Sequence, residues 1–241
     1  MTEHPQHTDP TDNSIGNNLA RVREQIAEAC HRYGRDVGDV RLIAVSKTKP
    51  AAAVRTAIEA GHVDFGENQM QDALSKIPQF ENSKLSWHYI GPLQSNKSKF
   101  IAGNFNWWHT MTRLDVAQRV SRKAVDVGKP VNVLIQINIT NDPAKSGITS
   151  NELAPLIEQL LKSDLAGIKL RGLMTIGPQG ANEAELRKCF AKLNALLQEN
   201  QKRFGLASFD QLSMGMTGDL VPAIAEGATM VRVGSAIFGS R

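Results

Sequence analysis

The segment VNVLIQINI, residues 131–139, is the most strand-like stretch of this 241-residue chain. Its apolar residues are nearly all β-branched, which is typical of a strand buried on both faces of a parallel sheet. Successive parallel strands need a crossover connection between them, and that connection is usually a helix. The sequence on either side of this segment is therefore expected to alternate strands with helices.

Short apolar runs do alternate with longer amphipathic segments. Eight runs are predicted as strands: 40–46, 62–66, 86–90, 105–110, 131–139, 168–176, 209–214 and 229–233. The segments predicted as helices include 51–60, 69–77, 112–127, 151–161, 182–204 and 220–225. Eight βα units within one domain's length predict a closed (β/α)8 barrel of the TIM type. An open Rossmann sheet is the main alternative, but no G-x-G-x-x-G follows an early strand.

The barrel is predicted to form one domain over residues 14–241. An extra N-terminal helix over 15–33 precedes the first strand, so it is expected to pack on the outside of the barrel. Residues 1–13 are polar and contain Pro5 and Pro10, which predicts a disordered tail rather than a signal peptide. No run approaches the roughly 20 apolar residues that a membrane helix needs. We expect a cytoplasmic protein that makes no membrane contact.

Composition narrows the class of partner. The formal net charge is +4 and only 5% of residues are aromatic, so the chain lacks the basic and aromatic surface typical of a nucleic-acid platform. The two cysteines, Cys30 and Cys189, form no CxxC pair and have no histidine at ligand spacing. They are interpreted as isolated thiols in a reducing cytosol, and no metal site is expected.

The segment LIAVSKTKP, residues 42–50, carries the first candidate for chemistry. An apolar strand ends in Ser46 and Lys47, and Pro50 opens the next predicted helix. A lysine at the end of a buried strand is costly unless an anion or a covalent partner meets it. A desolvated lysine amine can attack a carbonyl as a Schiff-base nucleophile, so Lys47 is a candidate for that role.

Active sites of (β/α)8 barrels gather at the carboxyl ends of the strands. Polar or small residues occur at nearly all of these predicted ends: Lys47, Glu67, Asn68, His88, Gly91, Asn138, Met174, Thr175, Ser213, Gly215, Arg232, Gly234 and Ser235. A site at this mouth of the barrel is therefore expected.

The last two loops indicate a phosphate. Barrel enzymes commonly bind phosphate with the loops after strands seven and eight, and Gly215, Gly234 and Ser235 lie there. Glycines let backbone N–H groups approach an anion, although the same glycines could serve only tight turns. Arg232 ends a buried strand and cannot lose its proton. Either a buried carboxylate pairs with it or it faces a ligand, and the sequence leaves both open.

One motif suggests a different chemistry. Residues 91–98, GPLQSNKS, resemble the nucleotide-binding pattern G-x-x-x-x-G-K-[ST]. Asn96 replaces the second glycine of that pattern, and no aspartate for magnesium follows a second strand. Nucleotide hydrolysis is not expected.

Several motifs at the strand ends occur in a fixed order: AVSKTKP, FGEN, WHYIGPLQSNK, VLIQIN with Lys145 and Gly147 following, RGLMTIGP, LSMGM and MVRVGSAIFG. With these motifs the chain from Ile15 to Arg241 resembles the pyridoxal-phosphate homeostasis family. That family's fold is similar to the barrel domain of alanine racemase, a fold-type III barrel that binds pyridoxal 5′-phosphate (PLP).

The resemblance implies that PLP is the cofactor and that Lys47 holds it as an aldimine. It also implies that Ser213, Gly234 and Ser235 hold the phosphate and that Arg232 faces the pyridine nitrogen. The predicted cofactor-binding residues are Lys47, Asn68, Ser213, Gly215, Arg232, Gly234 and Ser235. No catalytic residue and no metal ligand is predicted. The chain departs from the family at Gln69, where tyrosine is usual, and at Thr217, where serine is usual.

The implied function is to bind PLP for its intracellular homeostasis and delivery, without catalytic turnover. Apo-enzymes that use PLP would be its partners, and a monomer is expected. An amino-acid racemase is the alternative. Alanine racemases append a β domain that supplies a tyrosine base, and no such segment follows Arg241. Neither Tyr33 nor Tyr89 is an evident substitute. A Schiff-base aldolase acting on a phosphosugar, with no cofactor, is a third hypothesis.

Overall fold

The computed structural model describes residues 14–80 and 84–239 and shows a closed barrel of eight parallel strands. The strands are β1 (Arg41–Val45), β2 (Asp64–Glu67), β3 (Ser86–Tyr89), β4 (Trp107–Met111), β5 (Val131–Gln136), β6 (Ile168–Met174), β7 (Gln211–Ser213) and β8 (Met230–Val233). Each strand pairs with the next, and β8 pairs with β1. The predicted (β/α)8 fold is confirmed. The predicted tail over 1–13 lies outside the described residues.

The helices are α1 (Ile15–Arg32), α2 (Ala51–Glu59), α3 (Met70–Lys76), α4 (Leu114–Asp126), α5 (Ser150–Lys162), α6 (Glu183–Phe204), α7 (Leu220–Ala225) and α8 (Ser235–Phe238). A 3₁₀ helix, Ser95–Phe100, takes the place of an α-helix between β3 and β4. Strand β5 ends three residues before the predicted end at position 139. The Ile137 N–H still donates to the Met174 carbonyl of β6, but Ile137 also bridges to Ile148, just before α5, and the Asn138 N–H donates to the Ile148 carbonyl. Within the described residues, no helix is long and apolar enough to span a membrane.

The first helix packs on the outside of the barrel, as predicted. Its N-terminus is capped by Ser14, whose hydroxyl accepts the Asn17 N–H at 3.3 Å. Its buried face contacts α7 and α8, and the Asn18 amide donates to the Ile237 carbonyl at 2.9 Å. Helix α1 therefore supports the short helix that follows the last strand.

The strands place successive side chains alternately outside and inside the barrel. Outward residues such as Ala44 and Trp108 join the large core between the strands and the helices. Inward residues form a second, smaller cluster, whose members are Ile43, Trp107, Leu134, Met174 and Met230. Polar inward residues, among them His109 and Arg232, follow two positions later on the same strands. The inside of the barrel therefore holds this apolar cluster beside His88, which pairs with Trp107, and further polar side chains nearer the mouth.

Gly91, the first residue of the nucleotide-like motif, is explained by packing. A Cβ atom at this position would lie 2.0 Å from the backbone oxygen of Asn68. The chain after β3 passes so close to the end of β2 that only glycine fits. This glycine therefore requires no phosphate to explain it.

We predict that Gly91→Ala destabilises the protein by more than about 2 kcal/mol, because the new methyl group would force two strand ends apart. Gly16→Ala is the matched control, since the nearest atom to a Cβ there is 3.8 Å away and the site is helical. That variant should be unchanged or more stable. Urea unfolding measures both free energies, and equal stabilities would contradict the packing argument.

Candidate functional site

A cavity of about 410 Å³ opens at the carboxyl-terminal mouth of the barrel. Lys47, Thr217, Arg232, Gly234 and Ser235 line it, together with Val45, Thr48, Lys49, Ile90, Met216, Gly218 and Gly239. The volume falls within the range of about 300–1,000 Å³ that is usual for small-molecule sites. Four residues predicted from the sequence, Lys47, Arg232, Gly234 and Ser235, are thus brought together.

The pairing of β1 with β8 brings these residues together. Ile43 lies opposite Arg232 and Ala44 lies opposite Val233, so the ends of the first and last strands are neighbours. Lys47 follows β1, while Gly234 and Ser235 follow β8 and begin α8. Residues separated by nearly the whole chain therefore share one cavity.

The Lys47 side chain is half-buried rather than fully buried as the sequence suggested. The loop that carries it is held by side chains of α3. The Lys76 ammonium donates to the carbonyls of Ser46 at 2.9 Å and Lys49 at 3.2 Å, on either side of Lys47. Asp72 accepts the backbone N–H of Thr48, which has a φ of 61°. The loop is fixed in a conformation that a non-glycine residue rarely adopts.

Glu67, a predicted strand-end residue, points away from the cavity. Its carboxylate lies 2.6 Å from the buried Lys76 ammonium and accepts the Ser46 hydroxyl at 2.6 Å. Burial raises the pKa of Glu67, although Lys76 and Ser46 act in the opposite direction. Glu67, Lys76 and Ser46 thus form a cluster outside the barrel that supports the Lys47 loop on the side away from the cavity. The sequence pattern did not predict this cluster.

Arg232 is buried, with 4% of its surface exposed. Its guanidinium donates to the Ser213 hydroxyl at 2.8 Å and to the Thr175 carbonyl at 2.9 Å. No carboxylate of the described residues lies within 4.0 Å of it. Burial lowers its pKa to about 10, so it stays charged at neutral pH. Of the two alternatives that the sequence left open, the structure favours a guanidinium that faces a ligand.

Ser213 lies beneath Arg232 rather than on the cavity wall. Its hydroxyl is fully buried and forms hydrogen bonds to Arg232 and, at 2.8 Å, to His109 Nδ1. His109 in turn contacts His88. The sequence pattern did not predict this contact, because His109 on β4 and Ser213 on β7 meet only across the interior of the closed barrel. A direct role of Ser213 in holding phosphate stays a prediction.

Gly215 and Asn68 also lie outside the cavity lining. Gly215 has a φ of +90°, and a Cβ atom there would lie 2.6 Å from the Cβ of Ala223. The need for glycine is thus explained by a tight turn. The Asn68 Oδ1 atom is buried and has no hydrogen-bond partner among the described residues. The cofactor-binding roles of Gly215 and Asn68 stay predictions.

Thr217 joins the site although it was not among the predicted binding residues. Its hydroxyl lies 3.4 Å from that of Ser235, and both side chains are exposed. Ser235 begins α8, and the first N–H groups of a helix have no partner within the helix. Two hydroxyls and these N–H groups form a corner of the cavity that suits a phosphate.

The charges of the cavity also favour an anion. Lys47, Lys49 and Arg232 contribute three cationic groups, whereas none of the described residues that line the cavity carries a carboxylate. An amine, a buried guanidinium and a hydroxyl corner can hold a phosphorylated aromatic aldehyde at three points. The donor set therefore fits PLP, and the described residues contain no group of three or more metal-ligating side chains.

Comparison with known proteins identifies the family. Residues 17–241 match the family model described as alanine racemase, N-terminal domain. The chain is 46% identical over 228 residues to the pyridoxal phosphate homeostasis protein of Pseudomonas aeruginosa, covering 95% of this chain and 96% of that protein. It is 44% identical over 235 residues to the protein of that name in Escherichia coli K12, covering 95% and 97%.

Comparison with solved structures gives the same fold. PipY of Synechococcus elongatus with PLP bound is 36% identical, with a TM-score of 0.82 over 94% of this chain and all of that chain. An alanine racemase of Clostridium difficile is 18% identical, with a TM-score of 0.71 over 98% of this chain and 60% of that chain, and shows the fold alone. The chain therefore belongs to the alanine racemase N-terminal domain family, in the group whose members are pyridoxal phosphate homeostasis proteins. The resemblance inferred from the strand-end motifs is confirmed.

We predict that the free energy of unfolding falls as the pH is lowered from about 7.5 to about 6. Burial lowers the pKa of His62, His88 and His109, most strongly for His109, so the folded protein keeps them neutral. The unfolded chain binds protons on them near pH 6.5, and stability is lost as the pH falls through that value. The raised pKa of Glu67 acts in the opposite sense, because the folded protein binds that proton more readily than the unfolded chain, and this gain is complete once the pH has fallen to about the ordinary value of 4.5.

Urea unfolding at several pH values measures this dependence. Each histidine is expected to change the free energy of unfolding by up to about 1.4 kcal/mol per pH unit. His109→Gln should make the dependence shallower, whereas His31→Gln, at an exposed position of α1, should not. A pH-independent stability of the unsubstituted protein would contradict the prediction.

Proposed function

We propose that this protein binds PLP in the barrel-mouth cavity, held by a covalent bond to Lys47, and serves intracellular PLP homeostasis and delivery without turning over an amino acid. The observation that carries the proposal is the convergence of Lys47, Arg232 and the Thr217–Ser235 corner on one cavity, whose lining over residues 14–80 and 84–239 includes no carboxylate. Apo-enzymes that use PLP are the proposed recipients, and the proposed carrier is a cytoplasmic monomer.

Lys47 supplies the covalent anchor. PLP offers an aldehyde whose carbon accepts an amine nitrogen with loss of water, a bond that another amine or water can reverse. Because Lys47 is half-buried, incoming amines can reach it. The hydrogen bonds of Lys76 and Asp72 to the loop backbone keep Lys47 at the cavity while that exchange occurs.

The Thr217–Ser235 corner holds the phosphate in this proposal. Both hydroxyls can donate to phosphate oxygens, and Lys49 adds a positive charge to the same cavity. In the part of the chain that the structure describes, no carboxylate lines the cavity to repel the phosphate dianion. Threonine at position 217 therefore keeps the function of the serine that is usual in the family.

Arg232 favours holding over turnover. A guanidinium with a pKa of about 10 does not pass its proton to a ring nitrogen, so a bound pyridine ring stays a weak electron sink. Carbanion chemistry needs a strong sink, whereas exchange between amines does not. Arginine at this position is thus compatible with a carrier that releases PLP unchanged.

A racemase would also need a second base opposite Lys47, and neither tyrosine provides one. Tyr89 donates its hydroxyl to the Pro92 carbonyl at 3.0 Å, and burial raises its pKa to about 12. Tyr33 follows α1 and packs under the Arg187 guanidinium. Neither lines the cavity.

We predict that Lys47→Ala abolishes covalent capture of PLP, because no other amine is expected to reach the aldehyde. The purified protein is incubated with PLP, reduced with borohydride and mapped by peptide mass spectrometry. Lys49→Ala is the matched control, since this lysine lines the same cavity two residues away, and it should keep the adduct on Lys47. An adduct on Lys49 in the unsubstituted protein, or none at all, would overturn the assignment.

We also predict no turnover of D- or L-alanine above the rate of free PLP with the PLP-loaded protein. The reason is the missing second base and the weak electron sink at Arg232. Chiral chromatography of the amino acid measures turnover. Racemisation that disappears in Lys47→Ala would instead establish the racemase alternative.

A further inference from the structure

A chain of hydrogen bonds crosses the barrel interior from the far end to Arg232. Asp64 Oδ1 lies 3.1 Å from His88 Nε2, and His88 Nδ1 lies 3.0 Å from His109 Nε2. His109 Nδ1 lies 2.8 Å from the Ser213 hydroxyl, which accepts from Arg232 at 2.8 Å. The three middle residues are fully buried. None of the three side chains that link Asp64 to Arg232, His88, His109 and Ser213, lines the cavity.

The chain has a single direction because of Asp64. At the contact between the two imidazoles, one nitrogen must accept, so they cannot both be doubly protonated. Burial opposes ionisation of Asp64, but the bond with His88 and the nearby Arg41 hold its pKa below its ordinary value, and it is a carboxylate that only accepts. His88 Nε2–H therefore donates to Asp64. Burial lowers the pKa of His88, so the ring carries no second proton and its Nδ1 accepts.

The remaining directions follow from this one. His109 Nε2–H donates to His88 Nδ1, so His109 Nδ1 accepts the Ser213 hydroxyl proton. Both histidines are then neutral, in agreement with the effect of burial, which lowers the pKa of each. The Ser213 oxygen keeps its lone pairs for the Arg232 guanidinium.

In this arrangement each of His88, His109 and Ser213 turns its acceptor atom, which carries partial negative charge, toward the Arg232 end of the chain. Neighbouring hydrogen bonds polarise one another in a low-dielectric interior, so the Asp64 charge acts on Arg232 through the chain. Together with the more distant Asp219 carboxylate, whose charge raises the pKa of Arg232, this helps a buried guanidinium remain charged although no carboxylate of the described residues lies within ion-pair distance. It also fixes the Ser213 hydroxyl, which could otherwise rotate.

We propose that His109, oriented through His88 by Asp64, is a positioning residue that holds Arg232 in place against the ligand in the cavity. The proposal rests on the proposed function for the identity of that ligand, PLP. It assigns to the far end of the barrel an influence on the electronic state of the bound ring.

The first test needs no cofactor. Two-bond ¹H–¹⁵N correlation spectra of the protein labelled at its six histidines report which nitrogen carries the proton. We expect His88 and His109 both to be neutral with the proton on Nε2. A proton on Nδ1 of His109, or a doubly protonated His88, would overturn the direction of the chain.

The second test uses Asp64→Asn, which removes the charge without changing the shape. We expect PLP to bind about fivefold more weakly, which corresponds to about 1 kcal/mol, and the absorption maximum of the bound chromophore to move. Ser86→Ala is the matched control. It removes the other contact of His88 Nε2, at 3.2 Å, but leaves Asp64, and should match the unsubstituted protein.

The outcomes separate the two proposals. If the unsubstituted protein binds PLP and Asp64→Asn binds it with equal affinity and an unchanged spectrum, the positioning role is overturned and the proposed function stands. If the unsubstituted protein does not bind PLP, both are overturned. His109→Gln, with its unfolding measured in parallel, shows whether a loss of PLP affinity reflects lost positioning or a lost fold. If the affinity falls only to the extent that the protein unfolds, the positioning role is contradicted.

Discussion

The pairing of β8 with β1 is the constraint on which the rest of the structure depends. It closes the sheet, so none of the eight described strands has an unpaired edge. It also brings the first and the last strand of the chain into contact. The register places Ile43 opposite Arg232. Because parallel strands all end at the same mouth, the residues after β1 and β8 must then meet. The shared cavity of Lys47 and Ser235 is a direct consequence.

Closure also creates an interior that side chains must fill. Inward positions recur at every second residue, and the apolar ones form the small cluster around Trp107. Polar side chains that point into the barrel destabilise the fold unless they form hydrogen bonds. The His88–His109–Ser213 chain meets this condition and ends on Arg232. The barrel interior is thus a continuous polar connection between its two ends as well as a packed core.

The sequence predicted the strands, their order and the mouth of the barrel because these depend on local apolar runs and on spacing. It could not predict contacts made across the closed barrel. His109 and Ser213 are 104 residues apart, and Lys76 meets Glu67 only after α3 has folded back on β2. Glycine is ambiguous for a similar reason, since a turn and a ligand both require it. At Gly215 the crowding by Ala223 shows the turn.

The exposure of the site bears on what kind of protein this barrel is. Thr217 and Ser235 are exposed and Lys47 is half-buried, whereas Arg232 beneath them is buried except for a small part of its surface. An enzyme that removes a proton from carbon gains by excluding water from its reacting atoms. A carrier instead needs a protected side that recognises the ring and an open side at which the covalent bond can be exchanged. The depths at which these residues lie are those that the proposed carrier function requires, with Arg232 on the protected side and Lys47 on the open one.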